Sequence, residues 1–247
     1  MKNRLIKTLN IKRFKLVLLL EGLLVGILAG LVIVGYRICL TNGALWLQRI
    51  LAYCKQSIFT IIIWFVILFV IALVVTKLLD WESLISGSGI PQLEGELAGK
   101  IDAKWWRVLI AKFFGGFLAN FSGLALGREG PSIQLGAMVG KGIGKVLKRG
   151  KTEERYLLTC GASAGLAAAF HAPLAGVMFA LEEVHKHFSA PLLISVMTSS
   201  IAADYLMSSI LGMAPVFSFN IHGTLPTQYY WMVIILGIIL GLLGAFY

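Results

Sequence analysis

Three stretches without a charged side chain, Gln56–Thr76, Tyr156–Leu181 and Gly223–Tyr247, are each long enough to cross the hydrocarbon core of a bilayer as a helix. A helix satisfies its backbone N–H and C=O groups internally, which a lipid environment demands because it offers no water to bond them. The rest of the composition agrees. The chain is 58% hydrophobic and only 14% charged, with a mean hydropathy of +0.84, outside the range of soluble globular domains. The expected fold class is all-α, a polytopic membrane protein.

The apolar stretches differ in kind. Gly22–Tyr36 and Phe113–Gly127 are shorter than a full span and interrupted by glycine. A short basic helix over about 5–14 is expected to lead into a long apolar helix over about 15–50, followed by a span over about 57–79. Shorter elements then begin at breakers: after Gly87-Ser88-Gly89-Ile90-Pro91, around 105–122, and after Gly127-Arg128-Glu129-Gly130-Pro131. A Gly/Ala-rich helix over about 153–170 is followed by one from Pro173 to near Glu183–His185, a span over 191–211, a loop over 212–226 and a last apolar helix reaching Tyr247. No linker or low-complexity tract divides the chain, so residues 1–247 form a single transmembrane domain. Helices too short to span and interrupted by Gly and Pro mark a binding site at the membrane midplane of transporters.

The net charge of +10 does not point to nucleic acid. Lys2, Arg4, Lys7, Lys12, Arg13 and Lys15 precede the first apolar segment, which places the N-terminus in the cytoplasm by the positive-inside rule. No short apolar core with a small-residue cleavage site follows, so a cleaved signal peptide is not expected. The clusters Lys100–Lys112 and Lys141–Arg155 flank helices and are expected to be solvated loops facing lipid headgroups, with an electrostatic funnel for anions as the alternative. Glu21, in an apolar stretch near the basic N-terminus, is expected to snorkel or to pair with Lys15. Cys39, Cys54 and Cys160 share no ligand spacing, and His185 and His187, two residues apart, do not share a helical face; no metal site is expected.

Gly127-Arg128-Glu129-Gly130-Pro131 carries the clearest chemistry. Proline is favoured in the first helical turn, where its missing N–H costs nothing. The glycines let backbone turn sharply and approach a ligand. A helix start presents unpaired N–H groups and the positive end of the dipole, so it attracts anions. Glu129 is then a carboxylate stationed at an anion site, able to occupy it or to yield it when protonated or displaced. That is the logic of a gate.

Two further motifs accompany it in order: Gly87-Ser88-Gly89-Ile90-Pro91 before, and the run from Gly161 to Gly176 after, closing on Glu182-Glu183. Together they resemble the CLC family of chloride channels and chloride/proton antiporters, over essentially the whole chain. The resemblance implies a CLC-type fold of tilted and re-entrant, discontinuous helices, the first of two inverted repeats. It implies an anion site built from Ser88, Gly89, Ile90, Arg128, Glu129 and Gly130, with the Ser88 hydroxyl bonding a central chloride and backbone N–H groups around 128–130 lining an outer site. Glu129 is implied as external gate and proton carrier, and Glu183 as the internal proton-transfer acid. His171 departs from the family, where many relatives have Asn. Chloride and protons are the transported species, with no cofactor. The resemblance also implies a homodimer, with the helices over 173–185 and 191–211 at the subunit interface, in a bacterial-type inner or plasma membrane.

Each residue has a plainer role open to it: Ser88 as a helix cap, Glu129 as an ion-pair partner of Arg128, Glu182 and Glu183 as helix-end charges. A passive voltage-gated chloride channel on the same scaffold is the alternative to two-state gated exchange, and the acid at 183 favours exchange. Gly161-Ala162-Ser163-Ala164-Gly165 also matches the nucleophile elbow of serine hydrolases, but no strand precedes Ser163. That makes an intramembrane hydrolase, and with it an enzyme, remote. The sequence stops inside what the resemblance implies is the first helix of the second repeat. A missing second half is therefore expected, leaving an interface of small residues such as Gly115, Gly116 and Gly123.

Overall fold

The computed structural model describes residues 2–55, 57–186, 188–213, 223 and 226–246, with backbone alone for 2–15. Among these the secondary structure is helical, with no strand. Residues 1–213 and 214–247 form two compact units.

In the first unit, α1 runs Lys2–Cys54 as one continuous helix, so the expected break between a basic and an apolar helix near residue 15 does not occur. A tight turn, in which the Thr60 hydroxyl donates to the Tyr53 carbonyl at 3.3 Å, leads into α2, Ile58–Trp81. Ser57 caps α2 by accepting from Phe59 N–H at 3.3 Å. Then follow α3, Ile90–Leu97; α4, Trp105–Phe121; α5, Glu129–Val146; α6, Lys151–Phe170; and α7, Pro173–Phe179. A six-residue π-helical segment, Ala180–His185, continues α7, and α8 spans Ala190–Leu211. In the second unit the described residues form a 3₁₀ turn, Thr227–Tyr229, and the apolar α9, Tyr230–Phe246. Among the described residues, four helices are long and apolar enough to cross a membrane: α1, α2, α8 and α9 with its preceding turn.

The core of the first unit is made by removing side chains. Gly136 and Gly140 on α5 face Gly161 and Leu157 on α6, and Gly165 on α6 faces Ser132, so close that a methyl group at any of these glycines would collide with backbone. Gly22 and Gly26 on α1 meet Ser195 and Ser199 on α8 in the same way, and Gly30 sits tightly against Ala203. With lipid as apolar as leucine, helices associate through close backbone packing at such small residues. Gly115 and Gly116, expected at an open interface, instead pack inside the chain. Gly115 lies against Leu78 and Ile85, and Gly116 against the Tyr36 hydroxyl. Gly123 is exposed, as expected.

Both basic clusters are corrected at one residue. Lys141 is fully buried and donates to Glu96, to Asp102 at 2.7 Å and to the Ala103 carbonyl at 2.7 Å. Lys112 is also buried. A buried ammonium survives only when paired or hydrogen-bonded, and tertiary structure supplies those partners. Glu21 is buried, not snorkelling, and pairs with Arg149, whose Nε donates at 2.6 Å; the expected partner side chain, Lys15, lies outside the described residues. His185 takes part in a 3.0 Å hydrogen bond with the Thr159 hydroxyl; His187 lies outside the described residues.

Candidate functional site

The starts of α3 and α5 meet. Gly87 and Gly89 adopt positive φ, 66° and 91°, which lets the chain turn between the end of α2 and Pro91, the second residue of α3. Within that turn the Ser88 hydroxyl oxygen accepts from Ile90 N–H at 3.3 Å. Ser88 thus caps locally while its own O–H proton stays available to a ligand. Gly130 rests on the Ser88 backbone: an added Cβ there would lie 2.5 Å from the Ser88 carbonyl oxygen. The two glycine-bearing motifs are therefore in van der Waals contact, and glycine at 130 is a steric requirement.

Three side chains hold this junction, and sequence reasoning singled out none of them. Lys112 on α4 donates to the carbonyls of Ile85 at 2.8 Å and Gly87 at 2.7 Å. Gln134 on α5 donates to the Leu84 carbonyl at 2.8 Å and packs against Gly89. Asn120 donates to the Gly127 carbonyl at 3.3 Å, fixing the loop before α5. Lys112 was detectable in principle, because an ammonium inside the apolar run 108–117 is an intramembrane charge.

A cavity of about 900 Å³ opens at the junction. Its lining includes Ser88, Ile90, Glu129, Gly130, Lys112 and Tyr36. Glu129 is the first residue of α5 and is exposed, while Lys112 beside it is buried and makes no ion pair among the described residues. The first-turn N–H groups of both helices have no acceptor within their own helix. The cavity thus combines two positive helix ends, one lysine cation and one carboxylate. Tyr36 is 1% exposed and its hydroxyl has no partner among the described residues.

The other expected site residues fall elsewhere. Arg128 is the N-cap of α5; it forms no ion pair with Glu129, and its carbonyl accepts from the Ser132 hydroxyl at 2.7 Å. Arg128 and Gly89 are not part of the cavity wall. Glu182 and Glu183 are exposed on the π-helical segment, and neither lines the cavity that holds Glu129. π-Helical turns recur at functional sites. Ser163 is fully buried in the middle of α6 and bonds the Ser200 hydroxyl; among the described residues it has no histidine or acid partner and no strand precedes it, which opposes a hydrolase. No cluster able to hold a metal ion occurs among the described residues.

His171 ends α6 in the left-handed conformation, φ 55°, at the centre of a polar link between α1, α6 and α8. Arg37 lies 3.0 Å from its Nε2, and Asp204 3.2 Å from its Nδ1. A guanidinium only donates, so Nε2 accepts and Nδ1–H is left to donate to Asp204. In the connection between α3 and α4, the Asp102 carboxyl is held below its ordinary range chiefly by the hydrogen bond from Lys141, with the charge of that lysine second.

Residues 68–247 match a family model described as "voltage gated chloride channel". Over 244 residues the chain is 34% identical to the H+/Cl− exchange transporter ClcA of Citrobacter koseri, covering 94% of this chain and 50% of that protein. It is 33% identical to ClcA of Yersinia pestis, over all of this chain and 53% of the relative. The crystal structure of a slow cyanobacterial Cl−/H+ antiporter superposes with a TM-score of 0.81 at 33% identity, over 92% of this chain and 54% of that one. A CLC-type fluoride/proton antiporter shares the fold at 24% identity and a TM-score of 0.67. The chain spans about half the length of the relatives it matches. By its motifs, its helical architecture and these matches, the chain belongs to the CLC family of voltage-gated chloride channels and transporters.

Proposed function

We propose that the chain contributes one half of a chloride pathway that exchanges chloride for protons, with Glu129 as external gate. The observation that carries this is the cavity into which Ser88, Glu129, the α3 and α5 starts and the Lys112 cation converge. An anion entering there meets N–H groups, a hydroxyl proton and positive charge. Among the described residues, Glu129 is the only carboxylate on the wall; it competes for the same positions and withdraws once protonated. Proton uptake and anion entry are thereby coupled at one residue.

The other half of the coordination shell comes from a segment equivalent to the part of the relatives that this chain does not span. Exposed apolar side chains on α7 and α8, among them Leu174, Ile201 and Tyr205, support a homodimer through those helices. The clustering of basic residues before the first span supports a cytoplasmic N-terminus in a bacterial-type inner or plasma membrane.

A passive channel is the second reading, favoured by the position of Glu183 away from the Glu129 cavity. The exchanger reading assigns Glu183 the transfer of protons from the inner side. Glu183→Gln in the reconstituted two-half assembly is expected to stop proton flux while chloride still passes. Unchanged proton movement would leave Glu183 a solvated helix-end charge, and chloride flux with no proton movement in the wild type would favour the channel.

A further inference from the structure

Away from the cavity, the end of α2 and the start of α4 build a cation site from aromatic rings. Trp81 and Trp106 meet edge to face, with ring centroids 5.8 Å apart at 65°. The Arg107 guanidinium carbon lies 5.5 Å from the Trp81 ring and 5.3 Å from the Trp106 ring. The neighbouring Trp105 turns the other way and packs on Gly142 of α5. Trp81 and Trp106 instead leave 40% and 41% of their surfaces open.

Ring contacts hold the guanidinium but accept none of its N–H donors in the usual way, and arginine carries five of them. Among the described residues Arg107 forms no ion pair, and its Nε is buried without a partner. The nearby acids do not fill the gap. Glu82 accepts from Leu84 N–H at 3.4 Å, and Asp80 is exposed and makes no ion pair. Lys100 and Lys104 add exposed positive charge to the same segment.

We propose that Trp81, Trp106 and Arg107 form a binding site for the phosphate group of an anionic phospholipid. The two crossings by α1 and α2 return the chain at Trp81 to the face from which it started, the face carrying the basic residues. Tryptophan settles at headgroup depth, where its ring is apolar and its N–H is wet. The guanidinium carbon lies within 5.5 Å of both ring centroids and Nε is buried, so the two Nη groups are left to bind phosphate with two parallel hydrogen bonds. Lys100 and Lys104, exposed on the segment that leads into α4, favour a headgroup with net negative charge over a zwitterionic one, whose choline they repel. A free phosphate ion offers the same contacts without the acyl chains that the flanking apolar helices would cover.

Native mass spectrometry of the purified chain in micelles, titrated with phosphatidylglycerol or phosphatidylcholine, tests this. The wild type is expected to retain phosphatidylglycerol preferentially at one tight site. Arg107→Gln should weaken that site about tenfold, the scale of one lost charge-assisted contact, with Arg107→Lys between the two. Equal retention of the two lipids, or unchanged binding in Arg107→Gln, overturns the proposal. Displacement of the lipid by millimolar inorganic phosphate also overturns it, in favour of a free-anion site. Should Arg107→Gln fail to fold, quenching of wild-type tryptophan fluorescence by brominated phosphatidylglycerol against brominated phosphatidylcholine decides: a preference supports the site, and its absence refutes it.

Discussion

Lys112 and Lys141 are both buried lysines in the helical core, yet they stand in opposite electrostatic surroundings. Lys141 sits among Glu96, Asp102 and the Ala103 carbonyl, so its charge is neutralised where it stands. Lys112 bonds only the carbonyls of Ile85 and Gly87, dipoles that solvate a cation without cancelling it. One end of the molecule uses a buried charge to lock the α3–α4 connection onto α5. The other keeps a net positive charge beside the cavity shared by Ser88 and Glu129. A buried lysine is thus structural or electrostatic in role according to whether its partners are carboxylates.

The largest effect that separates the two is on stability. Lys141→Ala strands the buried Glu96 carboxylate and is expected to cost on the order of 3–5 kcal/mol, as removing one partner of a buried pair does. Thermal unfolding in detergent measures it, and a loss no larger than that of an exposed lysine would show that water reaches Glu96. Lys112→Met should act on the anion instead. Chloride affinity, read by calorimetry, should fall roughly tenfold, the scale of one unit charge across a partly screened site. Unchanged affinity would place Lys112 with Lys141 as a structural residue.

The smallest effect is in pH. The folded-state pKa of Asp102 is depressed below its ordinary value of 3.8, so its contribution is present above that value and lost as the pH falls through the folded one. The stability difference between wild type and Asp102→Asn should therefore be constant near neutrality and shrink on acidification below about 3.8. A difference that stays flat into that acid range would mean that Asp102 adds nothing to the Lys141 network.

These contrasts also mark what the sequence could reveal. Helix starts were legible because their determinants are local: Pro91, Pro131 and Pro173 each stand in the first turns of α3, α5 and α7, with glycine or alanine before them. The meeting of the Ser88 and Glu129 motifs was legible only through family resemblance, since nothing in the chain between them states that Gly130 rests on Ser88. Partners far apart in sequence were illegible. Glu21 finds Arg149, and His171 finds Arg37 and Asp204, through helix packing that no local pattern encodes. The basic clusters misled for the same reason. Lys141 looks like its solvated neighbours until the fold surrounds it, whereas Lys112 interrupts an apolar run.

The central claim is that the Glu129 carboxylate is the point where proton and anion compete. Reconstituted in liposomes with its matching second half, Glu129→Gln mimics the protonated acid: it leaves the helix start open to chloride and has no proton to carry. Chloride flux should persist while a chloride gradient no longer drives protons uphill. Proton pumping that survives in Glu129→Gln would contradict the assignment.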